Sequence, residues 1–421
     1  MQRRHDLDRV RLFAFALLVL YHVGMYYVTW DWHVKSPVAS LAPEPFMLLA
    51  SPWRMSLLFL ISGVATAYML EGTGAGVLRR RSRQLLLPLL FGMLVIVPPQ
   101  AYLQVVEQLP GGYAGGGLDF YAKYLRGYHG FCDAAGDCLA LPTWNHLWFL
   151  PYLWCYTLMA WLLWHGLPAP ALARLRAWSG RALQGWGALL VPFLLLTLAR
   201  LLLVARFEQS HALLDDWYNH AQYASVFLIG FLAAFNEGFW RSLQRLRWPA
   251  LLLAAASYAL LIHAWYFSGH DDAHPVPETL RLWLRGAWAL DQWCAIAALL
   301  GFAYRWRDAD SPLLRYLSLA VFPLYILHQT VIVVLAHALK PLHIPAPAEA
   351  LLLVAATFAL CLAAHAVIRR IGWLRPLFGL TRHAPASASP PGGTVDAPRR
   401  APPSGTGKAA RSPATADSAA D

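Results

Sequence analysis

Long apolar runs separated by short polar clusters dominate this chain of 421 residues. The first run, 10–30, contains "RLFAFALLVLYH" at 11–22, where an arginine and a histidine bracket ten residues that are almost all apolar. Further runs lie near 53–70, 85–106, 145–165, 187–205, 222–239, 249–268, 283–304, 315–337 and 348–368. Each approaches the ~20 residues a helix needs to cross roughly 30 Å of hydrocarbon. The pattern predicts an all-α fold, a polytopic membrane bundle of ten helices. The run at Val10 is too long for a signal-peptide core and has no small-residue cleavage site after it, so it reads as a permanent span.

Composition supports that class. Hydrophobic residues make up 58% of the chain and charged residues 14%, with a mean hydropathy of +0.43. So few charges cannot clothe a water-facing surface.

The polar segments alternate in basicity. The N-terminal "QRRHDLDRVR", "RRRSR" at 79–83, "RLRAWSGR" at 174–181, "RSLQRLR" at 241–247, "RWRDADSPLLR" at 305–315 and "RRIGWLRPLFGLTR" at 369–382 carry 21 Lys and Arg, against nine on the other side. The excess marks the cytoplasmic face and places both termini there. It also accounts for most of the net charge of +11, so a nucleic-acid partner is not required. Residues 1–380 are expected to form the membrane-embedded domain. Residues 381–421, rich in Ala, Pro, Ser and Gly, are expected to form a disordered cytoplasmic tail.

Two outer loops stand out. "FCDAAGDC" spaces Cys132 and Cys138 for a small disulfide loop on an oxidising side, or leaves two unpaired thiols. The acidic, His-containing segment 269–282 reads as a solvated loop in preference to a polar-substrate contact or a weak metal site, and no metal ligand is assigned. Cys155, Cys294 and Cys361 fall inside spans as packing residues.

Candidate chemistry concentrates in the first span. Arg11 and His22 are eleven residues apart, about three turns at ~3.6 residues per turn, so they share one face. Asp8 is spaced to pair with Arg11. At ~1.5 Å per residue His22 sits roughly 16 Å beyond Arg11, near the middle of the span, where an ionisable group marks a functional site by default. His328, in "SLAVFPLYILHQTVIVV", is expected at similar depth. His146, in "PTWNHLWFLPYLW", is expected at the outer mouth of the fourth span. The 79–83 cluster suits a polyphosphate headgroup, anionic lipid or plain topology. Asp291 and Arg200 are further intramembrane charges that pair with each other or with other polar groups.

The pieces "HDLDRVRLFAFALLVLYH", "LLFLISGVATAYML", "RRRSRQLLLPLLFG", "HLWFLPYLW" and "YLSLAVFPLYILHQTVIVV" together resemble the acyltransferase-3 family of integral membrane acyltransferases, in family order over most of 5–337. Arg11 and His22 meet the family pattern of a basic residue, ten residues and a histidine. "HLWFLPYLW" looks more like the branch of periplasmic-glucan succinyltransferases, although residues 150–156 hold no acidic side chain. The resemblance implies transfer of an acyl group, acetyl or succinyl, from cytoplasmic acyl-CoA to a glycan hydroxyl on or beyond the outer side of a bacterial inner membrane. It implies His22 as general base, Arg11, Arg80 and Arg83 as donor-binding groups, and His146 and His328 lining the acceptor side. Acyl-CoA is then a substrate, with no permanently bound cofactor, and membrane lipid surrounds the protein. The rival expectation is a transporter or flippase for a sugar or lipid, with His22, Asp291 and His328 as a polar relay.

Overall fold

The computed structural model describes residues 3–73, 76–134, 136–269, 274 and 276–382. The tail expected from 381 onward, apart from Thr381 and Arg382, and most of the acidic segment 270–275 lie outside the described residues. The chain forms α1 (His5–Met25), α2 (Glu44–Leu48), α3 (Arg54–Thr73), α4 (Val77–Phe91), α5 (Pro98–Gln108), α6 (Gly117–Leu125) and α7 (Phe149–Gly166). It continues through α8 (Ala169–Ala182), α9 (Gly187–Leu203), α10 (Trp217–Ala233), α11 (Glu237–Ile262), α12 (Glu278–Ala303), α13 (Pro312–Leu339) and α14 (Ala346–Ile368). No strand forms among the described residues.

Every apolar run lies on a helix, but the count of self-sufficient spans is smaller than ten. Among the described residues eight stretches are long and apolar enough to cross a membrane, α1, α3, α4 continued through α5, α7, α11, α12, α13 and α14, and the bent pair α8 and α9 makes a ninth if it is one span. The fifth and sixth expected spans fall on α9 and α10, of 17 residues each. α9 follows α8 across a bend of 102°, where Gly185 takes the left-handed backbone conformation that a side chain disfavours.

The first helix also begins earlier than its apolar run. Asp6 and Asp8 occupy its first turn, where the positive end of the helix dipole favours carboxylates. His22 is therefore in the last turn of α1 rather than near its middle. His328 stands well inside α13.

The basic segments gather at one end of the bundle. Arg4 is paired with Asp6 at 2.6 Å and lies over the Trp240 ring at 4.2 Å. Arg307 meets Glu237 at 2.8 Å, and the backbone N–H of His5 donates to Arg307 O. At the opposite end α5 and α6 bury Ala101, Val105, Phe120, Tyr124, Phe131 and Leu141 in a small separate core. That cap is closed by a disulfide between Cys132 and Cys138.

A helix break anchors the cap. Pro98 and Pro99 lack N–H donors, so the ladder between α4 and α5 loosens into one π-type turn, Gly92–Ile96. Val97 N–H bonds Gly92 O instead of Met93 O. The freed carbonyls find side chains: Tyr124 donates to Met93 O at 2.8 Å, Tyr121 to Leu94 O at 2.9 Å and Thr330 to Ile96 O at 2.7 Å. In hydrocarbon an unpaired backbone carbonyl is costly, so these hydroxyls are what permit the break.

Small residues set a close crossing of α3 and α10. A side-chain carbon built on Gly63 of α3 would overlap Phe227 O of α10, and one on Gly230 of α10 would overlap Leu60 O of α3. The pairing is reciprocal, as in membrane interfaces that pack through small residues. Gly63→Ala is expected to lower stability by about 1–3 kcal/mol, the usual effect of overpacking. Gly286→Ala, which meets nothing within 4 Å, should not. Thermal unfolding of the two variants in detergent checks this.

Candidate functional site

Three histidines from separate elements converge. His22 closes α1, His328 lies within α13, and His146 sits in the short 3-10 turn Asn145–Trp148 that leads into α7. The His22 and His328 rings stack with centroids 5.0 Å apart. The His146 ring meets His328 edge-on at 5.2 Å. His146 and His328 are buried.

Carbonyl partners assign the tautomers, because a carbonyl only accepts. His328 Nδ1 lies 2.7 Å from Tyr325 O, so Nδ1 carries the hydrogen. His328 Nε2 must then accept from His22 Nδ1, 2.8 Å away. His22 Nδ1 is consequently protonated, and its Nε2 is left with a lone pair. The same logic places a hydrogen on His146 Nε2, 3.0 Å from Ile326 O. Its Nδ1 accepts from Gln100 Nε2 at 3.4 Å. Gln100 also donates to Thr330 Oγ1 at 2.6 Å and accepts from Gln329 at 3.1 Å. Gln329 donates in turn to His33 Nε2 at 2.8 Å, while His33 Nδ1 donates to Gln104 at 2.7 Å. Burial pushes His33 below its ordinary pKa despite the Gln104 bond, which matches the neutral imidazole that these two partners require.

His22 and His146 open on a cavity of about 250 Å³ walled by Tyr21, Arg54, Trp148, Arg200, Gln222 and His211, among others. Among the described residues no Asp or Glu lines it. Arg200 donates to Tyr218 at 2.6 Å and lies over Trp288 at 4.3 Å, while its Nε has no partner. It does not pair with Asp291, whose Oδ2 is buried without a hydrogen bond. His211, from the segment after α9, lies against Trp148 with ring centroids 4.2 Å apart and ring planes 42° apart. Burial pushes its pKa down, against the opposing charge of Asp216.

A second cavity, of about 360 Å³, opens from the arginine-rich end. Arg3, Arg11 and Arg81 line it, and it runs along Phe15 to Leu18 and Tyr325. Leu18 and Tyr325 also line the first cavity, so these two side chains are a shared wall. The Tyr325 hydroxyl holds that wall in place by donating to His146 O at 2.6 Å. Arg11 bonds Asp8 at 3.1 Å and Ser318 O at 3.2 Å, as its spacing predicts for Asp8. Of the 79–83 cluster, Arg81 is buried and faces the cavity, whereas Arg80 and Arg83 are exposed on α4.

The structure thus brings His22, His146 and His328 together and puts Arg11 on the far side of the wall. Residues that sequence reasoning passed over are Arg54, Tyr325, Gln100, Gln329 and Arg81. Arg54 carried one usable signal: it is a cation at the less basic end of a span, where the charge rule does not call for one. The amides carried none, because their roles depend on which helices become neighbours.

Among the described residues no group of three or more His, Cys, Asp or Glu side chains is arranged to hold a metal ion. Comparison with known proteins finds a match to the acyltransferase domain family over residues 4–366. Glucans biosynthesis protein C of Escherichia coli strain K12 is 29% identical over 152 residues, 35% of this chain and 36% of that protein. The same protein from strain SMS-3-5 matches equally. The alignment therefore spans about a third of the length of these curated relatives, and no solved structure matches. The family match covers most of the chain: the chain belongs to the acyltransferase-3 family and is a multi-pass membrane protein.

Proposed function

We propose that this chain is an acyltransferase of a bacterial inner membrane with its arginine-rich end in the cytoplasm, moving an acyl group from acyl-CoA to a hydroxyl of a periplasmic or cell-surface glycan rather than transporting a sugar or lipid. The observation that carries the reading is the direction of the hydrogen bond from His22 Nδ1 to His328 Nε2. It leaves a lone pair on His22 Nε2 at the cavity, which is what a general base needs to take the proton of an attacking hydroxyl. His328 acts through His22 by holding its tautomer. His146 lines the acceptor side, with Trp148 as an apolar face for a sugar ring.

The donor enters from the other cavity. Arg11 and Arg81 at its lining, with Arg80 and Arg83 on the exposed face of α4, form a basic mouth suited to the phosphates of CoA. The thioester then meets His22 beyond Leu18 and Tyr325, while the phosphates stay behind that wall. Within the acyl class, Arg200 supports succinyl over acetyl: a terminal carboxylate projecting past the reacting carbon would occupy a cavity that contains buried guanidinium and no acid.

Labelled succinyl-CoA given to purified protein with glycan acceptors is expected to transfer label, and His22→Ala is expected to reduce the rate by about 10²–10⁴-fold with folding retained. A folded variant transferring at the wild-type rate would refute the general-base role. Arg80→Ala combined with Arg83→Ala should weaken CoA binding, with a loss that shrinks as salt is raised. Titration of CoA at several ionic strengths measures this, and an unchanged affinity removes both residues from the donor site. Arg200→Gln should cut the preference for succinyl-CoA over acetyl-CoA by about tenfold, the scale of one hydrogen bond to a charged group. Competition between the two donors reads it directly.

A further inference from the structure

We infer that Arg54 stabilises the oxyanion that forms on the acyl carbonyl beside His22. The inference rests on the acyl-transfer reading above and adds a second catalytic group to it. Arg54 is 4% exposed, and its Nε and Nη1 are buried without hydrogen-bond partners. The guanidinium lies over the Tyr21 ring at 3.8 Å, and Tyr21 is the neighbour of His22, their ring centroids 5.9 Å apart. Arg54 and His22 therefore line the same cavity from one wall, whereas Arg200 is held against Trp288 and Tyr218.

Arg4, another buried arginine, has its partner in Asp6, whereas the buried Arg81 reaches Gln84 Oε1 at 3.4 Å and the arginine-rich mouth. Among the described residues no carboxylate pairs with Arg54. An unpaired cation taken out of water is strongly disfavoured unless something anionic compensates it. Its position in the fold adds to the imbalance. Arg54 is the first residue of the 20-residue helix α3, at the dipole end that attracts anions and repels cations. Guanidinium and helix terminus thus place positive potential on one spot beside the base. The residue compensates nothing in the resting protein, and a charge that appears only during reaction is what such a site stabilises.

The step balances as follows. The acceptor oxygen forms a bond to the thioester carbon as its proton passes to His22 Nε2. The carbonyl electron pair moves onto oxygen, and that oxyanion faces Arg54. Collapse restores the C=O bond and breaks the C–S bond, and the departing thiolate takes the proton from His22 to leave as CoA thiol.

The test uses the full chain in detergent with labelled succinyl-CoA and a glycan acceptor. Arg54→Gln is expected to lower kcat by about 10²–10³-fold, as for loss of an oxyanion donor, with KM for the donor changed less than about threefold. Arg54→Lys should recover part of the rate, and added guanidinium ion should restore turnover to Arg54→Ala. A merely structural residue would not give that rescue. A raised KM with kcat preserved would overturn the proposal, since Arg54 would then hold a fixed substrate anion. Lost turnover without rescue, accompanied by a lower melting temperature, would overturn it in favour of a structural role. If wild type transfers label and Arg54→Gln matches it, only this inference falls. If wild type transfers none, the acyl-CoA reading falls with it.

Discussion

One hydrogen bond orders the centre of this molecule: the imidazole of His328 gives its Nδ1 hydrogen to the backbone carbonyl of Tyr325. A carbonyl has no hydrogen to return, so the tautomer of His328 admits no alternative, and that of His22 follows from it. In the proposed reaction, the lone pair on His22 Nε2 is thereby set by a main-chain atom rather than by a carboxylate. This is a different solution from a base oriented by an acid. It suits a low-dielectric interior, where a carboxylate would carry its own desolvation cost.

The neighbouring polar network depends on a break in a membrane helix. Two prolines interrupt the ladder between α4 and α5, and Thr330 accepts the task of satisfying Ile96 O. Thr330 is two residues from His328, so the repair of the break and the placement of the site use the same turn of α13. Gln100, just past the prolines, reaches Thr330, His146 and Gln329 at once. A continuous helix would carry those groups on a different rotation, and the amide bridge from His33 to His146 would not close. Local strain near a site is more readily held when several elements satisfy it together.

Much of this was legible before any coordinates. The runs of apolar residues placed every long helix, and the eleven-residue spacing of Arg11 and His22 identified a single helix face. The three histidines were each noticeable because imidazole is rare in hydrocarbon. Their convergence was not legible, since it depends on α1, α7 and α13 packing side by side. The place of His22 along its helix differs from the sequence-based reading because α1 spans His5–Met25, beginning with a polar first turn at Asp6 and Asp8 and ending before the apolar run of 10–30 does. Arg81 was hidden among equals: five consecutive positions carry four arginines, and only helix rotation decides which of them turns inward. The apolar runs at α9 and α10 gave helices of 17 residues each, and hydropathy does not sense the bend that joins α9 to α8.

The wall made by Leu18 and Tyr325 has an electrical consequence. Where water-filled cavities penetrate from both faces, a membrane voltage falls mostly across the thin material left between them. Here that material narrows to two side chains, so a charge passing them would cross a large share of the field, on the order of 2 kcal/mol for each 100 mV. If a donor's phosphates are held at Arg11 and Arg81, as proposed, they do not make that passage, and a neutral carbonyl carbon feels none of it. A terminal carboxylate on the acyl group does. In the proposed orientation, with the arginine-rich end on the negative side, the field would drive such a carboxylate outward, toward Arg200, so an energised membrane would assist the entry of a charged acyl group and leave a neutral one unaided.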